Sequence, residues 1–167
     1  MAEATHFAAL DIVPMWARVN DELIELIDVL GEERLDWSPK PELWNTRGIL
    51  LHILIGRNFL MERVIDDGGT TPDLLREAQS TAGLKEQLRR AWQRMAPFLS
   101  DRERLSREYD VQLQNAGARR MSGHWLAFGH LEHDIHHRAD IYHYLGLLGI
   151  EHGEPDTVER SFKEIDG

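Results

Sequence analysis

His133 and His137 stand four residues apart in a segment patterned as a helix. That spacing puts two imidazoles on one helical face, with Cβ atoms about 5–6 Å from each other, so both rings can converge on one ion. Steps of about 100° per residue gather Leu126, His133, His137, Asp140, Tyr144 and Leu148 into one stripe, which is expected to face the interior. Buried without partners, such rings cost about 1–3 kcal/mol each, whereas a divalent cation satisfies both and suits the neutral imidazole of pH 7. The competing account of the pair is a His-rich helix solvated at the surface. His130 and His136 are each three residues from His133 and rank lower. Helical side chains lean toward the N-terminus, so His137 leans back toward His133 while His130 leans away, and His136 lies near the edge of the stripe. Two ligands hold an ion weakly, and His52, on a different helix, is the candidate third. Taken alone, His52 also fits a core imidazole bonded to a backbone carbonyl.

The rest of the composition narrows the chemistry. The chain has no cysteine, which removes disulfides, thiolate-ligated zinc, iron–sulfur clusters and a nucleophilic thiol. Any tight transition-metal site must then be built from histidines and carboxylates. The chain has nine histidines. Six of them (His124, His130, His133, His136, His137 and His143) crowd into one helical segment, while His6, His124, His143 and His152 read as surface or packing residues. A formal charge of -10 repels a phosphate backbone, so nucleic acid is not an expected partner. No stretch approaches the roughly 18 apolar residues of a membrane span, and Met1 to Thr5 lack the basic start of a secretory signal. A cytoplasmic protein without a membrane partner is expected, folded as one domain over residues 1–167.

Four amphipathic segments must position these residues. The first runs from about Thr5 to Leu30, with Ile12, Trp16, Val19, Leu23, Leu26, Ile27 and Leu30 at helical spacing and Gly31 as a stop; Pro14 marks either its true start or a bend. Leu35 to Trp44, with Pro39 and Pro41, reads as a loop anchored by aromatics. Asn45 is a good N-cap for the second helix, which carries His52 and ends at Asp66, Gly68 and Gly69. Thr70 to Ser80 reads as an exposed connection. A third helix follows through Leu84, Leu88, Ala91, Met95 and Leu99, its last turn frayed by Pro97. Arg102 to Met121 reads as a long loop, with room for a short extended piece at the weak alternation of Tyr109, Val111 and Leu113. The fourth helix starts at the N-cap Ser122, ends at Gly149 and is about 40 Å long. The expected fold class is all-α, a four-helix bundle with long irregular connections and no convincing strand.

The segment Leu131-Glu-His-Asp-Ile-His-His-Arg-Ala-Asp-Ile-Tyr-His-Tyr-Leu-Gly-Leu-Leu-Gly-Ile150 resembles the closing His-x-x-His-His-Arg-Gly-Gln helix of the DinB family. Trp44-Asn-Thr-Arg-Gly-Ile-Leu-Leu-His52 resembles that family's other signature, and spacing and order agree over nearly the whole chain. The resemblance implies a DinB-like four-helix bundle, commonly dimeric, with a divalent ion on three histidines that map onto His52, His133 and His137. Zinc or nickel is the first expectation for that ion, manganese or iron the next. The chain departs from the pattern at Ala139-Asp140, where the family commonly has Gly-Gln. Asp140, one turn beyond His137, reads either as a carboxylate serving the site or as an ordinary surface charge.

Three neutral ligands leave a divalent ion with an open position and Lewis acidity toward a thiol, water or substrate oxygen. The resemblance implies thiol-dependent transferases among the relatives. A small-molecule substrate with a low-molecular-weight thiol as cosubstrate is therefore the first expectation, with Trp44, Arg57, Asn58 or Tyr109 holding the other substrate. Metal-dependent hydrolysis, with Asp140 or His130 relaying a proton, is the second. A non-catalytic metal- or ligand-binding, stress-related protein is the third.

Overall fold

The computed structural model describes residues 12–65, 71–113 and 117–151. Helix α1 spans Ile12–Leu30. Pro14 falls in its first turn, where a missing N–H leaves no helical bond broken, so the chain starts there without a kink. The expected extension back to Thr5, the stop at Asp66, Gly68 and Gly69, and the surface reading of His6 and His152 lie outside the described residues. Helix α2 spans Thr46–Leu60, and its N-cap is Asn45, whose Oδ1 accepts from the Gly48 N–H at 2.8 Å. It runs on into a wider turn over Met61–Ile65.

Two expectations need correction. The connection after α2 holds a short helix, α3 (Thr71–Glu77), which anchors itself through buried Leu74 and hands over buried Ala78. The long loop before the last helix holds a helix, α5 (Arg102–Ser106), and a β-hairpin, β1 (Glu108–Leu113) paired antiparallel with β2 (Gly117–Ser122). The pairing sets Tyr109 opposite Met121 and Val111 opposite Arg119. One face of the hairpin thus gains a single apolar residue from its second strand, which is why its alternation is faint in the sequence. Between them lies α4 (Thr81–Leu99), capped by Ser80. It continues past Pro97 to Leu99 instead of fraying. Both Pro97 and Gln93, four residues earlier, face solvent, where water can take the carbonyl that proline leaves without a donor.

Helix α6 (Gly123–Leu147) is capped by Ser122, whose Oγ accepts from the Trp125 N–H, and Gly149 follows with a positive φ of 66°. The long helices close a ring: α1 and α2 each pack against both α4 and α6. Trp16, Leu23, Ile27, Leu50, Ile53, Leu84, Leu88, Phe98, Ile141 and Leu145 fill the space between them. The fold is helical as expected, and among the described residues the hairpin is the departure from it. Among the described residues, no helix is long and apolar enough to cross a membrane.

The core also holds charge. Asp134 on α6 is buried, and its Oδ2 accepts from Trp16 Nε1 at 2.7 Å and from Arg57 Nε at 2.8 Å. Arg57 Nη1 reaches Asn20 Oδ1 at 2.6 Å, and one turn along α6 Arg138 donates to Glu22. Burial pushes the Asp134 carboxyl up, but the Arg57 guanidinium and the bonds from His133, Trp16 and Arg57 outweigh it and hold the group below the usual carboxylate range. This network ties α1, α2 and α6 together directly behind the histidine face.

Candidate metal centre

His52, His133 and His137 come together between α2 and α6, with one ligand atom from each lying within 4.8 Å of the others. The Nε2 atoms of His52 and His133 are 2.9 Å apart, and the three ring centroids lie 4.6 to 4.8 Å from one another. Close approach of the helices depends on Gly56, one turn beyond His52. A Cβ there would lie 3.2 Å from His133 Cε1 and press on the ring.

Each α6 imidazole has its Nδ1 toward a carboxylate. His137 Nδ1 is 3.0 Å from Asp140 Oδ2, a hydrogen bond that fixes the proton on Nδ1 and leaves Nε2 as the nitrogen with a free lone pair. His133 Nδ1 lies 3.5 Å from Asp134 Oδ1, a looser contact, while its Nε2 points at His52. Burial lowers the pKa of His52, and the neighbouring charges of His133 and His137 lower it further. Burial also lowers that of His137, against the opposing pull of its bond to Asp140. Both rings are therefore neutral near pH 7, the form that donates a lone pair to a cation.

The donor set fits a divalent ion. Ligands about 2.0–2.1 Å from a tetrahedral centre lie roughly 3.3 Å from one another, and the observed spread needs only small ring rotations to reach that. Three neutral nitrogens suit zinc, nickel or iron better than the hard cations calcium and magnesium. A second group, His136, His137 and Asp140, meets the same distance limit, but it is more exposed and shares His137.

Trp44 closes one side. Its ring centroid is 4.6 Å from that of His52 and 6.1 Å from that of His137, and about half of its surface is exposed. The Tyr144 hydroxyl donates to the Trp44 carbonyl at 2.9 Å, and Trp37 packs edge-on against Tyr144, so α6 itself pins the loop that carries Trp44.

The structure thus brings Trp44 and Asp140 to the three histidines. Arg57 and Asn58, expected to hold substrate, are instead buried: Arg57 is committed to Asp134 and Asn20, and Asn58 Nδ2 donates to Glu62 at 2.8 Å. Tyr109 lies against Phe98, its hydroxyl bonded to the Arg104 carbonyl at 3.0 Å. His130 turns away from the cluster, its Nδ1 donating to the Leu126 carbonyl at 2.8 Å and its ring stacked on Phe59. His124 and His143 are exposed. Sequence reasoning missed Asp134, and it placed Tyr144 on the inward stripe without giving it a role. Asp134 carried a signal, a carboxylate breaking an apolar helix face opposite Asn20 and Arg57 on two other helices.

A helical fold of this topology, with three imidazoles gathered between two of its long helices, defines a class of helical proteins with a His cluster that could hold a metal ion. The chain belongs to the DinB family, whose model matches residues 1–165. It is 24% identical over 127 residues to the uncharacterized protein YjoA of Bacillus subtilis (strain 168), covering 75% of this chain and 80% of that protein. The crystal structure of that DinB-like protein superposes with a TM-score of 0.64 at 21% identity, covering 87% of this chain and 94% of the other. A DinB-like protein from Bacillus cereus ATCC 10987 gives a TM-score of 0.64 at 16% identity, covering 84% and 92%. At these identities the two structures support the fold.

Proposed function

We propose that this protein is a metal-dependent enzyme acting on a small molecule, with one divalent ion, zinc or nickel first, held by His52, His133 and His137. The observation that carries the reading is the convergence of three ring nitrogens from two helices, two of them only 2.9 Å apart. When bound, the ion supplies Lewis acidity toward a thiol, water or substrate oxygen entering its open position.

The protein's own residues do the rest. Asp140 keeps the proton on His137 Nδ1, so Nε2 stays available inward. Asp134, held by Arg57 and Trp16, performs a weaker version of that service for His133. Trp44 excludes water from one side of His52 and offers an exposed aromatic face to an incoming molecule.

Thiol-dependent transfer is the favoured chemistry. It rests on family membership, and because the chain has no cysteine the thiol arrives as a cosubstrate. Hydrolysis is the second reading, supported by Asp140, which is partly exposed beside His137 and placed to accept a proton from water. The test is metal analysis of untagged protein, followed by turnover of an electrophile panel with and without added thiol. One equivalent of metal is expected, lost in each of His52→Ala, His133→Ala and His137→Ala, with turnover that requires thiol. Metal-dependent turnover without thiol would select hydrolysis. Retention of the ion by all three variants would overturn the site.

A further inference from the structure

A recess of about 310 Å³ opens beside the histidine cluster, with His133 common to both. Its floor is Gly56 and Phe59 of α2, and one wall comes from Met121 of the hairpin. The other wall is a stripe of α6 at helical spacing, where Trp125, Gly129 and His130 lead to His133. Among the described residues, no carboxylate, lysine or arginine lines it. His130 adds no charge either: burial lowers its pKa, and its ring lies flat on Phe59 at a 15° angle. Of the lining residues Trp125 leaves 60% of its surface exposed, and Phe128, 48% exposed, lies with its ring 5.9 Å from that of Trp125. Exposed aromatic rings around an uncharged recess of this size match the apolar lining of small-ligand sites.

Gly129 keeps the recess open. A Cβ at that position meets no atom within 4 Å, although alanine would favour the helix more than glycine does. The space is therefore not needed for helix packing, unlike that at Gly56.

We propose that this recess binds the uncharged aromatic or apolar group of a small-molecule substrate, whose reacting end then lies toward His133. The assignment rests on the metal reading only for the direction in which the reacting end points. In the metal-free chain a charged group here would exchange water for walls that, among the described residues, hold no carboxylate, lysine or arginine to pair with it, so the site selects neutral molecules.

The test uses 2-naphthol, neutral at pH 7, and its anionic counterpart of similar size, 2-naphthoate, titrated calorimetrically into the metal-stripped full chain. One 2-naphthol should bind per chain, at least tenfold more tightly than 2-naphthoate. Gly129→Leu, which extends a side chain into the recess, should weaken 2-naphthol at least tenfold, with an unfolding midpoint no lower than the parent's and zinc stoichiometry unchanged. Gly129→Ala should weaken it less, and it keeps the comparison open if the leucine variant folds poorly. Absence of saturable binding, equal affinity for the two probes, or unchanged affinity in both Gly129 variants would overturn the proposal. A dimer that dissociates in Gly129→Leu would assign the face to a second copy of the chain and overturn it as well. In the Co²⁺-loaded protein, ring protons of bound 2-naphthol should relax faster than in the zinc form, and equal relaxation would overturn the adjacency. Failure to bind any metal sinks the metal reading alone, because the affinity measurements are made without it.

Discussion

Helix α6 presents two polar faces that meet at neighbouring residues, and they follow opposite rules. On one, Asp134 and Arg138 are buried and matched by Arg57, Asn20, Trp16 and Glu22 from α1 and α2. On the other, His133 and His137 meet His52 with no charge between them and with part of each ring open to solvent. The first face finds its opposite charges within the protein. In the second, the ring nitrogens turned toward one another face no opposite charge among the described residues, an arrangement that suits uncharged rings or a cation between them. Burial alone thus does not separate structural from functional polar groups; what separates these two faces is whether an opposite charge is buried against them.

The largest expected effect falls on the first face. Asp134→Ala leaves Arg57 as an uncompensated buried charge and should destabilise the metal-free protein by about 3–5 kcal/mol in urea unfolding. A loss below about 1 kcal/mol would mean that the network is loosely held and the contrast between the two faces is false.

Next comes Asp140→Asn, which touches only the second face. Zinc affinity should fall by about 10–100-fold, while unfolding of the metal-free protein stays within about 0.5 kcal/mol of the parent. Unchanged affinity in a zinc titration would reduce Asp140 to an ordinary surface charge.

The smallest effect is the pH dependence of metal-free stability. Burial lowers the pKa values of His52 and His137, so protons bind the unfolded chain more readily than the folded one. Stability is then full above the ordinary imidazole value of about 6.5, and it is lost as pH falls through the lowered folded values. Urea midpoints should decline over that acidic range. The decline should be shallower in the His52→Ala, His137→Ala double variant, with the contribution of His130 remaining. A decline of equal slope in that variant would place the titration elsewhere.

What the sequence made legible follows from how many residues speak for each element. Helix α6 has a long apolar repeat and a Ser122 cap, and α2 has Asn45, so both were readable together with the three histidines they carry. The hairpin buries only Val111 in its first strand, and its turn depends on Gly117, whose φ is 68°. A single glycine and one buried valine do not outweigh a polar background. Helix α3 hangs on Leu74 in the same way. Arg57 was misread as facing a ligand because its partners, Asp134 and Asn20, lie 77 and 37 residues away in sequence, and only the packing of three helices reveals the match.

Gly56 acts as a ruler. With no side chain between α2 and the His133 ring, the backbone itself sets how far apart the donors stand. Coordination distances hold to about 0.2 Å, and one methyl at this position would press the His133 ring by a similar amount while removing none of the ligands. For a cation held by the cluster, selectivity would therefore depend partly on a residue that contributes no donor atom to it.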